Sequence, residues 1–345
     1  MKLGEILTIQ EKSKIKAGDG IDNGIFPFFT CSNDVVKTHN FAQYKGPALI
    51  FGTGGKASVH FCSESFSTST DCLVYKTSKE VNLSLVNKYL RKNMYLLENG
   101  FKGAGLKHIS REYIANIEIP LPEILEQNKL VSQFDLIESS ITNHKKILEK
   151  YDTLIKSRFI EMFGDPVQNP MGWEVRKLKE TTDIITGNTP SRKDKENYGT
   201  FIEWIKTDNI TDKTYITTAA EYLSEKGEML GRTVEAGSIL MACIAGSLRS
   251  IGRVALTDRK VSFNQQINAI VPKKYNSLFL YALFQNTQSY AQSTVNMALK
   301  GILSKGKLEE LEYILPPIEL QNDFATFVQQ IDKSKFEYTN TGAAA

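Results

Sequence analysis

The residues able to do chemistry in this chain are short polar and basic stretches. In the first part of the sequence they are Lys12, Lys14 and Lys16, then Ser32-Asn33, Lys56, Ser67-Thr68, Lys102 and Lys107. Later come Thr189, Ser191, Arg192 and Lys193, then Arg249, Asn264-Gln265-Gln266 and Lys300. Lysine and arginine suit phosphates, whereas Asn, Gln and Arg suit the edges of bases. Taken singly, each also reads as a solvated loop residue. Signatures of other chemistry are missing. Gly52-Thr53-Gly54-Gly55-Lys56 is glycine-rich but lacks the GxxxxGK[ST] spacing of a nucleotide loop, so it reads as a tight turn with Lys56 free to meet a phosphate. No GxGxxG or GxSxG occurs, and His39, His60, His108 and His144 have no ligand spacing. Cys31, Cys62, Cys72 and Cys243 form no CxxC pair and read as reduced thiols of a cytosolic protein, with no zinc or other metal expected.

These stretches fall into a repeat. Placing Gln127-Asn128 on Gln321-Asn322, an offset of 194, sets Ile117–Pro122 against Leu311–Pro316. Upstream, Gly46–Phe51 resembles Ala236–Met241, and Phe66–Val74 is set against Phe263–Val271. This places Ser67-Thr68-Ser69-Thr70 opposite Asn264-Gln265-Gln266, so the two blocks carry different polar groups at corresponding points. The blocks are rich in β-branched and aromatic residues with close Gly/Asn/Asp breaks, which predicts β-rich globules. Residues 1–122 carry 15 basic against 11 acidic side chains, and 173–317 carry 19 against 16. The segments after each block are acidic by two: 6 against 8 over 123–172, and 2 against 4 over 318–345.

Two helices join the blocks. Glu123–Phe163 contains no Gly or Pro, and Leu130, Phe134, Ile137, Ile141, His144, Leu148, Tyr151, Ile155, Phe159 and Met162 recur at spacings of three and four. Pro122 precedes this rod, and Gly164 with Pro166 stops it. Its length is about 60 Å at 1.5 Å per residue. A second helix runs from Ile318 through Leu320, Phe324, Phe327, Val328 and Ile331 to Tyr338, and 339–345 reads as a disordered tail. The distal seam, Leu148, Tyr151, Ile155, Phe159 and Met162, therefore outruns its intramolecular partner and is the expected docking site for another protein or a second copy. The fold class expected is α+β: two β-rich domains, 1–122 and 165–317, separated by the helices 123–164 and 318–338 packed as an antiparallel coiled coil, with a pseudo-two-fold internal repeat. At 345 residues and 41% hydrophobic composition the chain is an ordinary globular length, and no run of 18 apolar residues spans a membrane. A secretory signal is not expected either, which together predicts a cytoplasmic location.

The order Phe163-Gly164-Asp165-Pro166, Asn169-Pro170-Met171-Gly172-Trp173, Leu178 and Gly187-Asn188-Thr189-Pro190-Ser191 resembles the junction in specificity subunits of type I restriction–modification enzymes. The paired elements Pro122/Gln127-Asn128 and Pro316/Gln321-Asn322 belong to the same resemblance, which spans nearly the whole chain. It implies two target-recognition domains, each reading half of a bipartite double-stranded DNA site. It also implies docking of two methyltransferase subunits and of restriction–translocation subunits. No cofactor is expected in this chain; S-adenosylmethionine, ATP and magnesium would belong to the partners. The chain itself is then a non-catalytic subunit. A reading from a different class is a coiled-coil scaffold whose globules do not bind DNA.

Overall fold

The computed structural model describes residues 1–33, 37–295 and 301–343, the last four of them by backbone alone. It divides into two compact units, Met1–Asn143 and His144–Ala345. The first unit contains α1 (Leu3–Ile6), β1 (Thr8–Ile9), β2 (Phe26–Phe29), β3 (Lys37–His39), β4 (Tyr44–Lys45) and β5 (Ala48–Gly52). After these come β6 (Ser58–Cys62), β7 (Ser65–Thr68), β8 (Cys72–Lys76), α2 (Leu83–Lys92), α3 (Tyr95–Glu98) and α4 (Arg111–Asn116). Its strands form two sheets, ordered β1-β8-β5-β6 and β3-β2-β7-β4. Strand β5 is buried along its whole length because it has a core on each face. Leu49 and Phe51 join the helices α2 to α4, while Ala48 and Ile50 face Phe29, Phe66 and Val74 of the sheet pair. A strand covered on both sides reads as continuous apolar sequence, which is the pattern of Ala48–Phe51.

Helix α5 runs from Ile124 to Phe163. Gly164 ends it at φ +73°, a left-handed conformation that glycine adopts without a Cβ penalty. Beyond it lie β9 (Val175–Lys177), α6 (Leu178–Thr181), β10 (Thr182–Thr186), β11 (Tyr198–Ile205), β12 (Tyr222–Leu223), α7 (Glu225–Leu230) and β13 (Thr233–Val234). The remaining elements are β14 (Ile239–Ala242), β15 (Val254–Leu256), β16 (Val261–Phe263), β17 (Ile267–Pro272), α8 (Ser277–Asn286), α9 (Gln288–Ser293), α10 (Lys305–Glu310), β18 (Glu312–Ile314) and α11 (Ile318–Ala343). The sheets β10-β17-β14-β15 and β12-β11-β16-β13 repeat the topology of the first unit strand for strand. Both units include one parallel pairing, β2 with β7 and β11 with β16.

Within the second unit, the His144–Phe163 part of α5 runs antiparallel to α11. Phe159 and Phe163 meet Phe324, Arg158 lies over Phe327, Asp152 pairs with Lys335, and His144 stacks on Tyr338. The helix pair is not a separate rod here. Phe159, Phe163, Phe324 and Val328 are part of the same core as Ile239, Met241 and Phe279. Helix α11 also continues to Ala343, so residues 339–343, expected as a disordered tail, are helical; Ala344 and Ala345 lie outside the described residues. Among the described residues no helix is long and apolar enough to cross a membrane.

Candidate nucleic-acid interface

Hydrogen bonds gather the first unit's polar stretches onto one rim. The turn Ser69–Asp71 follows β7, and the loop Lys12–Lys16 is laced to it: Ser13 Oγ donates to the Thr68 carbonyl at 2.6 Å, and Thr70 N–H donates to the Ile15 carbonyl at 2.8 Å. The Asp71 carbonyl accepts from Thr53 N–H, Thr53 Oγ1 and Cys31 Sγ. Gly55 N–H donates to the Lys107 carbonyl, and Lys102 is bridged to His108. Lys12, Lys14, Lys16, Ser32, Asn33, Lys56, Lys102 and Lys107 are all exposed. Among the described residues none of these six lysines enters an ion pair; ion pairs in this unit are confined to Lys88 with Asp135 and Glu138.

The second unit builds the same rim with other side chains. Asn188 N–H donates to the Phe263 carbonyl, the counterpart of the Ser13–Thr68 contact. Thr189 Oγ1 donates to Gln265 Oε1, joining the loop Gly187–Ser191 to the turn Asn264–Gln266. Gly187 permits this approach, since a Cβ there would lie 2.2 Å from the Asn264 carbonyl oxygen. Beside the loop, Arg192 stacks on Tyr198 and Trp204 at 4.9 and 5.1 Å, and Lys206 lies 5.0 Å from the Trp204 ring. Glu221 bridges both cations. Its hydrogen bonds from Lys206 and Arg192 hold its carboxyl below the usual carboxylate range, so it stays ionised. Gln265, Thr189, Ser191, Arg192 and Lys193 are exposed and Gln266 is half-buried. Arg249 stands in the wall of a cavity beside α5 and α11. Lys300 lies outside the described residues.

The structure corrects three readings. Ser67 and Thr68 are fully buried in β7 and cannot reach a ligand. The strand register explains why. Phe28 and Phe29 pair with Ser67 and Thr68 as Trp204 and Ile205 pair with Ser262 and Phe263. The counterpart of Asn264–Gln266 is therefore Ser69–Asp71, two residues beyond the expected match, and its accessible members are Thr70 and Asp71. Asn264 is likewise buried, with Nδ2 donating to Gln266 Oε1 and Oδ1 accepting from Gln266 N–H. Third, the distal seam is covered. Phe159 is fully buried, Leu148, Tyr151, Ile155 and Met162 are half-buried, and Ile155 and Met162 pack on the core. Along the seam, exposure falls instead on the proximal half, at Phe134 (41%), Ile137 (54%) and Ile141 (50%), while off the seam Leu136, Leu154 and Ile160 are exposed on both halves. The antiparallel pairing places α11 alongside the distal half of α5, which removes the reason for expecting a second copy at that seam.

Gln127-Asn128 and Gln321-Asn322 acquire a role that spacing alone did not reveal. Asn82 caps α2 through its side chain, and its own N–H donates to Gln127 Oε1 at 2.8 Å. Asn82 Nδ2 donates to Asn128 Oδ1 at 2.8 Å, and Gln127 Nε2 donates to the Pro122 carbonyl. In the second unit Asn276, Gln321, Asn322 and Pro316 repeat each of these bonds, at 2.8 to 3.0 Å. Each Gln-Asn is thus a clasp between a globule helix and a long helix. The available signal was the pair of Asn caps at matching distances upstream, 45 residues before each Gln.

A duplicated two-sheet unit with polar loops collected at one rim defines a recognition architecture. The Type I restriction modification DNA specificity domain matches residues 1–150 and 170–344, and the chain belongs to that family. Both matched segments thus carry the DNA specificity domain of that family. The chain is 34% identical over 140 residues to the type I restriction enzyme HindI specificity subunit of Haemophilus influenzae, covering 40% of this chain and 28% of the relative. With the MjaVIII specificity subunit of Methanocaldococcus jannaschii it shares 26% identity over 265 residues, 68% of this chain and 60% of the relative. In both cases the match spans less than two thirds of the relative's own length. The solved type I restriction–modification S subunit from M. genitalium aligns with 100% of this chain and 91% of its own, at a TM-score of 0.69 and 12% identity. A chain from a structure concerned with complex assembly and conformational transition of the type I R-M system aligns at 0.60 and 16%, covering 100% and 93%. At these identities the likeness is one of fold.

Proposed function

We propose that this chain reads double-stranded DNA for a type I restriction–modification complex, with one half of a bipartite site read by each unit. The observation that carries this reading is the duplicated rim. At equivalent places of two units with the same strand topology, a loop and a turn present exposed basic, hydroxyl and amide groups. Lysines of the first unit would contact phosphates, and Gln265, Gln266 and Arg192 of the second are the groups able to read base edges. Thr189, Ser191 and Lys193 flank them. The exposed stripe Phe134, Ile137 and Ile141 fits a docking surface for methyltransferase subunits, two in the complete assembly, which restriction subunits would join. S-adenosylmethionine, ATP and magnesium would then be bound by those partners.

A mobility shift of the full chain, with and without a methyltransferase partner, at two salt concentrations tests the reading. Binding is expected to weaken as salt rises, because phosphate contacts release counterions. Absent or salt-insensitive binding in both states overturns it in favour of a scaffold.

A further inference from the structure

The groove between a globule helix and the long helix it packs on differs between the units. In the first, Lys88 stands six residues beyond the cap Asn82 and reaches Asp135 at 3.0 Å and Glu138 at 2.7 Å across this groove. Six residues beyond the equivalent cap, Asn276, the second unit has Ala282. Counted from the clasp glutamines, Asp135 and Glu138 correspond to Gln329 and Asp332. A methyl group cannot span what a lysine spans. A cavity of about 560 Å³ opens beside Ala282, between α5, α8, α11 and the loop before β15.

Four cations and two carboxylates stand in its wall. Lys335 is taken up by Asp152 at 2.5 Å and Arg253 by Asp212 at 3.2 Å. Lys156 and Arg249 enter no ion pair among the described residues. Tyr281 and Gln285, hydrogen-bonded to each other, add polar surface. Lys156 and Arg249 are exposed in its wall, and two cations there with no carboxylate partner among the described residues favour an anion; the volume falls within the range of about 300–1,000 Å³ typical of small-molecule sites.

We infer that this cavity binds a phosphate-bearing ligand, anchored by Lys156 and Arg249. The phosphate belongs either to a free nucleotide or to a DNA backbone, and the test separates these sources. The full chain is titrated with pyrophosphate and with ATP, read by calorimetry and thermal shift. The Lys156→Met, Arg249→Met and Ala282→Met variants are carried alongside, each with a circular dichroism check of folding. Binding of a free anion, weakened about tenfold or more by either charge-removing variant, Lys156→Met or Arg249→Met, and lost when the uncharged Ala282→Met fills the groove, supports the site with a free ligand. No response to free anions, but a similar loss of duplex affinity in the same variants without change of half-site preference, supports it with backbone phosphate as the source. Anion binding that survives all three variants, or folded Lys156→Met and Arg249→Met chains unchanged toward both free anions and DNA, overturns the assignment. Rim variants read the DNA proposal separately, so either proposal can fail alone.

Discussion

Six lysines on the first unit's rim stand in water with no carboxylate partner among the described residues, whereas on the second Glu221 holds Arg192 and Lys206 and aromatic rings support both. The two rims share strand topology and a loop tied by hydrogen bonds to the turn after the parallel strand, so the contrast lies mainly in the side chains they present. An unpaired lysine is a mobile point charge that attracts any phosphate. A guanidinium stacked on Tyr198 and Trp204, and an amide tied to Thr189, have fewer orientations to lose on binding. The comparison teaches that a repeated scaffold can divide affinity from discrimination. The first unit is suited to salt-sensitive attraction, and the second to directional contact.

The strongest challenge to that division is the Lys12→Gln/Lys14→Gln/Lys16→Gln chain. It is expected to lose about a hundredfold in DNA affinity at 0.15 M salt, with the slope of log affinity against log salt smaller by about three. Half-site preference should stay the same; a changed motif in a methylome would mean these lysines discriminate. Next in size, Gln265→Ala with Gln266→Ala is expected to cost about 1–3 kcal/mol of discrimination. That loss should be confined to one half-site, as read by selection from a randomised duplex. Loss in both halves would assign these residues a structural role.

The clasps sharpen the comparison by predicting sameness. Gln321→Ala strips partners from Asn276 N–H and the Pro316 carbonyl in a fully buried setting and should destabilise its unit by about 1–3 kcal/mol. Gln127→Ala should act in the same direction, and urea unfolding followed in each unit checks both. Least in size, Glu221→Gln releases Arg192 and Lys206. It should steepen the salt dependence by about one to two, moving the second unit toward the first. Exposed ion pairs contribute little to stability, so the melting temperature should change by no more than a degree or two.

The sequence alone determined the features that local rules govern. Pro122 and Gly164 bound the long helix at the residues observed, because a missing N–H and a left-handed φ act at their own positions. The repeat at an offset of 194 is borne out by the clasps, and matching Gly46–Phe51 to Ala236–Met241 agrees with the strand register. What only the tertiary structure decided depends on partners far along the chain. A two-residue slip keeps every side chain on its own face of a strand, so hydrophobic pattern could not distinguish Ser67-Thr68 from the turn Ser69–Asp71. Only the pairing with Phe28 and Phe29 settles which pair is buried. In the same way the apolar seam of α5 is continuous in sequence from Leu130 to Met162, and nothing local marks where it is covered. The antiparallel packing of α11, through contacts such as Phe159–Phe324 and Asp152–Lys335 more than 160 residues apart, buries Phe159 while Ile137 and Ile141 remain exposed.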